Sequence, residues 1–246
     1  MTFVEFDQAM MERWDREWLV YLGTESMYPH LVRYDQLDVV ADLAGVDAAS
    51  VYSTVFTRSD RYEQDAALAI WCDGDQLIGK SVVEIGCGCG FLGKQLGLVV
   101  DRYLGLDYSE LALAIARGAS PSNCEYGMPS DSDRLGPMAG QFDTLVGREF
   151  FIHQNLEQVR GVLRTARHLV REGGLICADF YHTNPSIPQG VVHPADSPLD
   201  PTYASAGYHY EPADTQRLAE EFGLRIRRQD RDLKRQRLFT IFEVLR

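Results

Sequence analysis

Val82-Val83-Glu84-Ile85-Gly86-Cys87-Gly88-Cys89-Gly90 decides the fold. Val82–Ile85 is a short, β-branched run, which suits a buried strand. Three glycines at alternate positions end that strand, and Phe91 to Leu98 continues as a helix. Glycine at such a junction permits a tight turn and lets backbone amides approach a ligand. By itself the pattern is ambiguous. Gly88-Cys89-Gly90-Phe91-Leu92-Gly93 also satisfies the dinucleotide fingerprint G-x-G-x-x-G, and Asp107 stands where a ribose-binding acid belongs in either reading.

Working outward, strand and helix alternate. Tyr103–Leu106 is a second strand ending on Asp107. Ser109 is placed to cap a helix from Glu110 to Arg117, with Gly118 as its stop. Asn123–Gly127 and Phe142–Val146 are two further strands. Asn155, with Gln158 three positions on, forms a capping box for a helix from Leu156 to Arg171. Gly173-Gly174 closes that helix, and Leu175–Asp179 is a fifth strand. Short apolar strands alternating with helices predict an α/β fold with a doubly wound, mostly parallel sheet. The end differs. A helix over Asp214 to Phe222 is followed by Leu224–Arg228 and Leu238–Val244, whose connection is too short for a crossover helix. These strands should pair antiparallel, completing a seven-stranded sheet with a terminal hairpin.

Two stretches lie outside this alternation. Residues 1–75 read as an N-terminal helical cap on the main domain of residues 76–246. Phe6, Met10, Trp14 and Trp18 recur every four residues there, the spacing of an apolar helix stripe. Residues 181–213 hold six of the ten prolines, together with His182, His193, Tyr203, Tyr208, His209 and Tyr210. A loop of this length in a compact domain is usually functional, and its aromatics oppose plain disorder. It is expected to act as a lid at the carboxyl edge of the sheet, where open α/β folds bind ligands.

Bulk chemistry narrows the partners. The 246 residues carry a formal net charge of −12. The short basic cluster from Arg225 to Arg237 is interleaved with Asp230 and Asp232, so no nucleic-acid partner is expected. No apolar run is long enough to span a bilayer, and the start lacks the pattern of a signal peptide. Five scattered cysteines, Cys72, Cys87, Cys89, Cys124 and Cys177, read as free thiols. A cytoplasmic location and no metal site are therefore expected. A monomer and a homodimer both remain open.

Charge separates the two readings of the glycine loop. Glu84 precedes the first glycine by two residues, and its carboxylate would repel a pyrophosphate. The sulfonium and ammonium groups of S-adenosylmethionine are cationic and suit a nearby acid. The whole then resembles the class I S-adenosylmethionine-dependent methyltransferases. Val82 to Gly90 is similar to the first family motif, and Tyr103-Leu104-Gly105-Leu106-Asp107-Tyr108-Ser109 to the second. Phe142 to Glu149 resembles the fourth strand and its exit, and Leu163 to Asp179 the following helix and fifth strand. The terminal hairpin resembles the family's reversed seventh strand.

The resemblance implies roles. Gly86, Gly88 and Gly90, with Glu84, would line the methionine and ribose part of the cofactor. Asp107 would hold the ribose hydroxyls and Tyr108 would flank the adenine. Met128 and Pro129 would cover the adenine, with Ser130 or Asp131 meeting its amine. Arg148 would lie beside the methionine. Each has a plainer alternative: Asp107 as a helix cap, Met128 as core filler, Arg148 as the ion-pair partner of Glu149 or Glu84.

Methyl transfer from a sulfonium asks chiefly for positioning, with a general base where the acceptor holds its proton. His153 after the fourth strand and His182 after the fifth are the candidate bases. His153 could equally be a structural residue before its helix. Tyr181, His193, Tyr208 and Tyr210 are the candidate acceptor contacts, or simply pack the loop. Gly147-Arg148-Glu149-Phe150 stands where base- and glutamine-modifying relatives carry Asn/Asp-Pro-Pro-Tyr, which points away from those substrates. The expected reaction moves a methyl group to a small molecule, on an oxygen of a secondary metabolite. The alternatives are a cyclisation or elimination on the same fold, a non-enzymatic regulatory role, and a nicotinamide oxidoreductase.

Overall fold

The structure is a computed structural model. It describes residues 8, 10–15, 71, 77–182, 192–193, 207–234 and 236–246, with 119, 192 and 193 described by backbone alone. Most of the expected cap, including Phe6 and Trp18, lies outside the described residues, as do Cys72, Tyr203 and the larger part of 183–206.

Five parallel strands form the frame: β1 (Ser81–Ile85), β2 (Arg102–Leu106), β3 (Cys124–Gly127), β4 (Phe142–Gly147) and β5 (Val170–His182). Their order is β3-β2-β1-β4-β5, so the chain reverses direction of travel between β1 and β4. That reversal opens a crevice at the carboxyl ends of the two strands. The final strands, β8 (Leu224–Asp232) and β9 (Arg237–Val244), pair antiparallel, and β9 lies antiparallel on β5. The predicted mostly parallel sheet with a reversed terminal hairpin is therefore present, with nine strands among the described residues where seven were expected.

Period-two alternation divides the core between the two faces of this sheet. Val83, Ile85, Leu104 and Leu106 pack on one side with the helix α4 (Leu156–Leu169), through Val159, Val162, Leu163, Ala166 and Leu169. Val82 and Tyr103 pack on the other, with Leu92 of α1 (Phe91–Leu96) and Leu113 of α2 (Glu110–Ala119). Helix ends follow side-chain chemistry. Ser109 accepts the Ala112 N–H, and Asn155 and Gln158 close the predicted capping box. Such a cap contributes about 1 kcal/mol.

Several boundaries differ from the sequence reading. Gly118 does not stop α2, which runs on to Ala119 before Pro121. Helix α4 ends at Leu169, not Arg171, because Val170 already pairs with Phe142 on β4. The two glycines then form an irregularity inside β5, where the register jumps between Phe142 and Thr144. Gly173 adopts φ 71°, and a Cβ on Gly174 would lie 2.5 Å from Val170 and 2.6 Å from the Asp143 carbonyl.

Within the expected loop of residues 181–213, some of the described residues form strands. Gly207–Tyr210 is a strand, β7, parallel to the end of β5, with Tyr181 opposite His209 and His182 opposite Tyr210. Val192–His193, β6, pairs with it in turn. β4 ends at Gly147, opposite Ala178, so β7 takes up the backbone partners that β5 offers beyond that point. The next helix, α5, spans Pro212–Glu221.

Candidate active site

The glycine loop is built by backbone conformation. Gly86, Gly88 and Gly90 all take positive φ, at 74°, 51° and 75°. Side chains rarely adopt that region, and here space forbids them as well. A Cβ on Gly86 would stand 2.5 Å from the Phe150 ring, and one on Gly90 would stand 2.8 Å from the Tyr126 hydroxyl. The Gly86 N–H donates to the Leu106 carbonyl at 2.7 Å, which ties the loop to the exit of β2.

Asp107 completes the tie. Its carboxylate accepts the Gly88 N–H at 2.8 Å and the Ser109 N–H at 2.9 Å. It is 7% exposed, and burial pushes its pKa up to about 6 although the Ser109 and Gly88 donors pull it down. The carboxylate is thus fixed in orientation by backbone on both sides. The helix-cap alternative falls to Ser109, which caps α2 with its own hydroxyl.

Glu84 lies beneath the loop, 3% exposed, and accepts a hydrogen bond from the Tyr103 hydroxyl. Burial, then the Glu84 charge, hold the Tyr103 phenol well above its usual range, so it remains a donor. Cys87 and Cys89 are buried free thiols, raised first by desolvation and then by the Asp107 charge. They are unreactive as thiols in this setting.

Gly93 answers the ambiguity of the motif. A Cβ there would lie 2.5 Å from the Tyr126 hydroxyl and 2.6 Å from the Tyr103 ring. The third glycine of the apparent dinucleotide fingerprint makes room for the tyrosine that reaches Glu84. It need not mark a pyrophosphate site.

Tyr108 is buried beside Phe150, their rings 6.3 Å apart and nearly parallel at 18°. Met128 is half-buried among the residues around Tyr103, and Pro129 is buried. The Asp131 carboxylate accepts the Arg134 N–H and so caps α3 (Ser132–Leu135). That engagement leaves Ser130 as the freer of the two candidates for an adenine amine.

The exit of β4 carries charge. Arg148 pairs with Glu149 at 3.6 Å, one of the plainer alternatives for it. Glu149 holds a positive φ of 53°, and its N–H donates to both oxygens of Asp179, at 2.9 and 3.1 Å. Asp179 is buried near the end of β5; desolvation raises its pKa to about 6, against the lowering charge of Arg237. The Arg237 guanidinium stands 3.8 Å from Asp179 and 4.5 Å over the Tyr181 ring. Asp179, Arg237 and Tyr103 were not singled out from the sequence. Each is an ordinary strand residue there, and only strand pairing brings it to the site.

The histidines separate. His153 closes a short 3-10 turn (Phe151–His153), its ring 5.4 Å from that of Trp14. His182 is half-buried at the end of β5, and its N–H donates to the Gln236 carbonyl. His193 is placed by backbone only, on β6. Tyr208 is half-buried on β7, and Tyr210 is buried with its hydroxyl donating to the Gln154 carbonyl at 2.6 Å. The helical stretch 10–15 reaches the same edge. Asp15 accepts the Ser109 hydroxyl at 2.6 Å and the Leu111 N–H at 3.1 Å. Through Asp15 and Trp14 this stretch links the exit of β2 to that of β4. Among the described residues, no group of three or more His, Cys, Asp or Glu side chains is placed to hold a metal ion.

Residues 82–174 match the profile of the methyltransferase domain family. Over that stretch the chain carries a methyltransferase domain. Relatives of that domain include the ubiquinone biosynthesis O-methyltransferases of Thiobacillus denitrificans, 29% identical over 156 residues, and Pseudomonas aeruginosa, 30% identical over 112 residues. The matches take in 60% and 44% of this chain, and 66% and 47% of those proteins. The chain therefore aligns with less than two thirds of their length.

Solved structures share the methyltransferase fold. An S-adenosylmethionine-dependent methyltransferase from Mesorhizobium loti superposes with a TM-score of 0.57 at 19% identity, covering 73% of this chain and 99% of that one. Magnesium protoporphyrin IX methyltransferase from Synechocystis, solved with bound S-adenosylhomocysteine, gives 0.54 at 17% identity, covering 97% and 94%. At these identities the likeness speaks for the fold alone.

Proposed function

We propose that the protein binds S-adenosylmethionine in the crevice between β1, β2 and β4 and transfers its methyl group to an oxygen of a small-molecule acceptor. The observation that carries this reading is the bond from the Gly88 N–H to Asp107, which joins loop and acid into one rigid cradle. The Asp107 carboxylate accepts the Gly88 and Ser109 N–H groups on different oxygens and would also accept the ribose hydroxyls. Gly86, Gly88 and Gly90 would face the methionine and ribose part, Glu84 would supply negative charge beneath it, and Tyr108, Met128 and Pro129 would border the adenine. Arg148 would stand near the methionine carboxylate. The bound cofactor supplies an electrophilic methyl group, and the chain's task is to orient it and exclude water.

The acceptor would enter between the exits of β4 and β5. His182 and His153 stand on those two exits and are the residues proposed to take a proton from the acceptor. Tyr181 and Tyr208 are proposed to border it, with Tyr210 behind them and His193 on the neighbouring strand. Oxygen is the favoured acceptor atom because the named relatives are O-methyltransferases. A secondary metabolite is the proposed source, and the reaction is proposed to run in the cytoplasm without a nucleic-acid partner, consistent with the net charge of −12. Among the described residues no helix is long and apolar enough to cross a membrane.

Calorimetric titration with S-adenosylhomocysteine tests the cofactor site. Binding is expected, and Asp107→Ala should weaken it by about 1–3 kcal/mol, the cost of losing a buried acceptor. An unchanged affinity removes Asp107 from the site. Mass spectrometry of products from an acceptor screen tests the transfer, since a methylated product separates it from cyclisation or elimination.

A further inference from the structure

Gln154 is 1% exposed, and neither the oxygen nor the nitrogen of its carboxamide has a hydrogen-bond partner. Nearly all buried polar side-chain atoms are bonded, so an amide orphaned at both atoms needs a reason. The indole Nε1 of Trp14 is buried in the same condition. The two belong to one neighbourhood: the Trp14 ring packs edge-on against His153, which directly precedes Gln154.

The main chain of Gln154 is secured without its side chain. Its N–H donates to the Phe151 carbonyl at 3.1 Å, and its own carbonyl accepts the Tyr210 hydroxyl. The amide is therefore not a device for holding this turn. Its place in the fold is specific. Gln154 follows the exit of β4 and touches β7, the strand that lies beside β5 beyond the end of β4. That is the acceptor side of the crevice.

We infer that Gln154 and Trp14 form the polar end of the acceptor pocket and recognise an uncharged planar group that sets a hydrogen-bond acceptor beside a donor. A carboxamide, or a hydroxyl next to a carbonyl, has this character. The inference rests on the methyltransferase reading above. A carboxamide side chain offers two N–H donors and one acceptor oxygen in a plane, and the indole adds a third donor. A carboxylate would meet the Gln154 oxygen with like polarity, and an ammonium would leave the amide and indole N–H groups unanswered. The body of the ligand should be apolar and flat. Trp14 and His153 meet edge to face, and Phe151, Phe180 and Tyr210 follow in contact at 5.2 and 4.9 Å. Selectivity comes from the orphaned atoms: a site built to bond a polar group strongly rejects an analogue that lacks it, whereas an apolar wall discriminates weakly.

The test uses the whole chain and two probes of matched shape, benzamide and acetophenone, followed by ligand-detected NMR with S-adenosylhomocysteine present. Benzamide should bind about tenfold more tightly, because it supplies both donor and acceptor. Gln154→Met should erase that preference, leave S-adenosylhomocysteine affinity unchanged and raise the melting temperature, since it removes a buried amide that the folded protein leaves unbonded. Trp14→Phe should reduce the preference. Equal affinity for the two probes, a preference that survives Gln154→Met, or a lowered melting temperature in that variant overturns the proposal. Failure of S-adenosylhomocysteine to bind sinks the cofactor reading instead, and the probe comparison in its absence still decides this one.

Discussion

The Tyr103 hydroxyl donates a hydrogen bond to Glu84 across the β1–β2 pair, beneath the glycine loop. Both residues are buried, and their bond holds a carboxylate in a water-poor setting close to Cys87 of the loop. Hydrogen bonds to charged groups are worth more than neutral ones, about 1.5–3 kcal/mol. Tyr103→Phe should lower stability by that order in urea melts and weaken S-adenosylhomocysteine binding. Combined with Glu84→Gln, the losses should not add. Additive effects would show that the two residues act independently.

Gly93 and Gly136 make a matched pair. A methyl group at Gly93 would collide with Tyr103 and Tyr126, whereas one at Gly136 meets nothing within 4 Å. Gly93→Ala should cost about 1–3 kcal/mol through overpacking. Gly136→Ala, in a right-handed helical conformation at φ −53°, should be neutral or gain about 0.5 kcal/mol by restricting the unfolded chain. Thermal melts of both variants check the contrast.

Asp107 and Asp179 set a pH dependence. Both are raised from 3.8 to about 6 by burial, so the folded state holds their protons more tightly than the unfolded chain. Their contribution to stability is full below about pH 4 and is lost as pH rises through about 6, at most ~3 kcal/mol each. Binding should run the other way. On the proposed reading the ionised Asp107 is the stronger acceptor for ribose hydroxyls, so S-adenosylhomocysteine affinity should fall as pH drops below about 6. In Asp107→Asn that fall should be absent from titrations between pH 5 and 8.

The strained turn at Glu149 depends on Asp179, which takes its N–H on both oxygens. Asp179→Ala removes that acceptor and the partner of Arg237, and should destabilise by about 3 kcal/mol. Glu149→Gly suits the positive φ and should be nearly neutral despite losing its ion pairs. A severe loss in the glycine variant would mean that the Glu149 carboxylate, not its backbone, organises this turn.

Asp15 ties the helical stretch 10–15 to the start of α2. Asp15→Ala should cost about 1 kcal/mol, as loss of a capping acceptor does, and should speed hydrogen exchange of amides 10–15 relative to those of β1. Unchanged exchange would show that Trp14 packing alone holds the segment.

The sequence by itself determined the sheet and the glycine loop. β-branched runs ended by glycine, a capping box at Asn155 and a hairpin too short for a crossover are local signals, and local chemistry suffices to place the strands and helices they mark. Glu84, the loop glycines and Asp107 were legible for the same reason: each sits at a strand end where residue type and position coincide. Helix ends were less legible. Leu169 ends α4 because Val170 finds a partner on β4, which no local pattern states. The contacts beyond the exits of β4 and β5 were decided by tertiary structure. Asp179 meets Glu149, Arg237 meets Tyr181, and Trp14 meets His153 across separations of 30, 56 and 139 positions. Gln154 has no distinguishing neighbour in the sequence. Its amide becomes notable only once folding has buried it without a partner, and burial is a property of the packed chain, not of the residue.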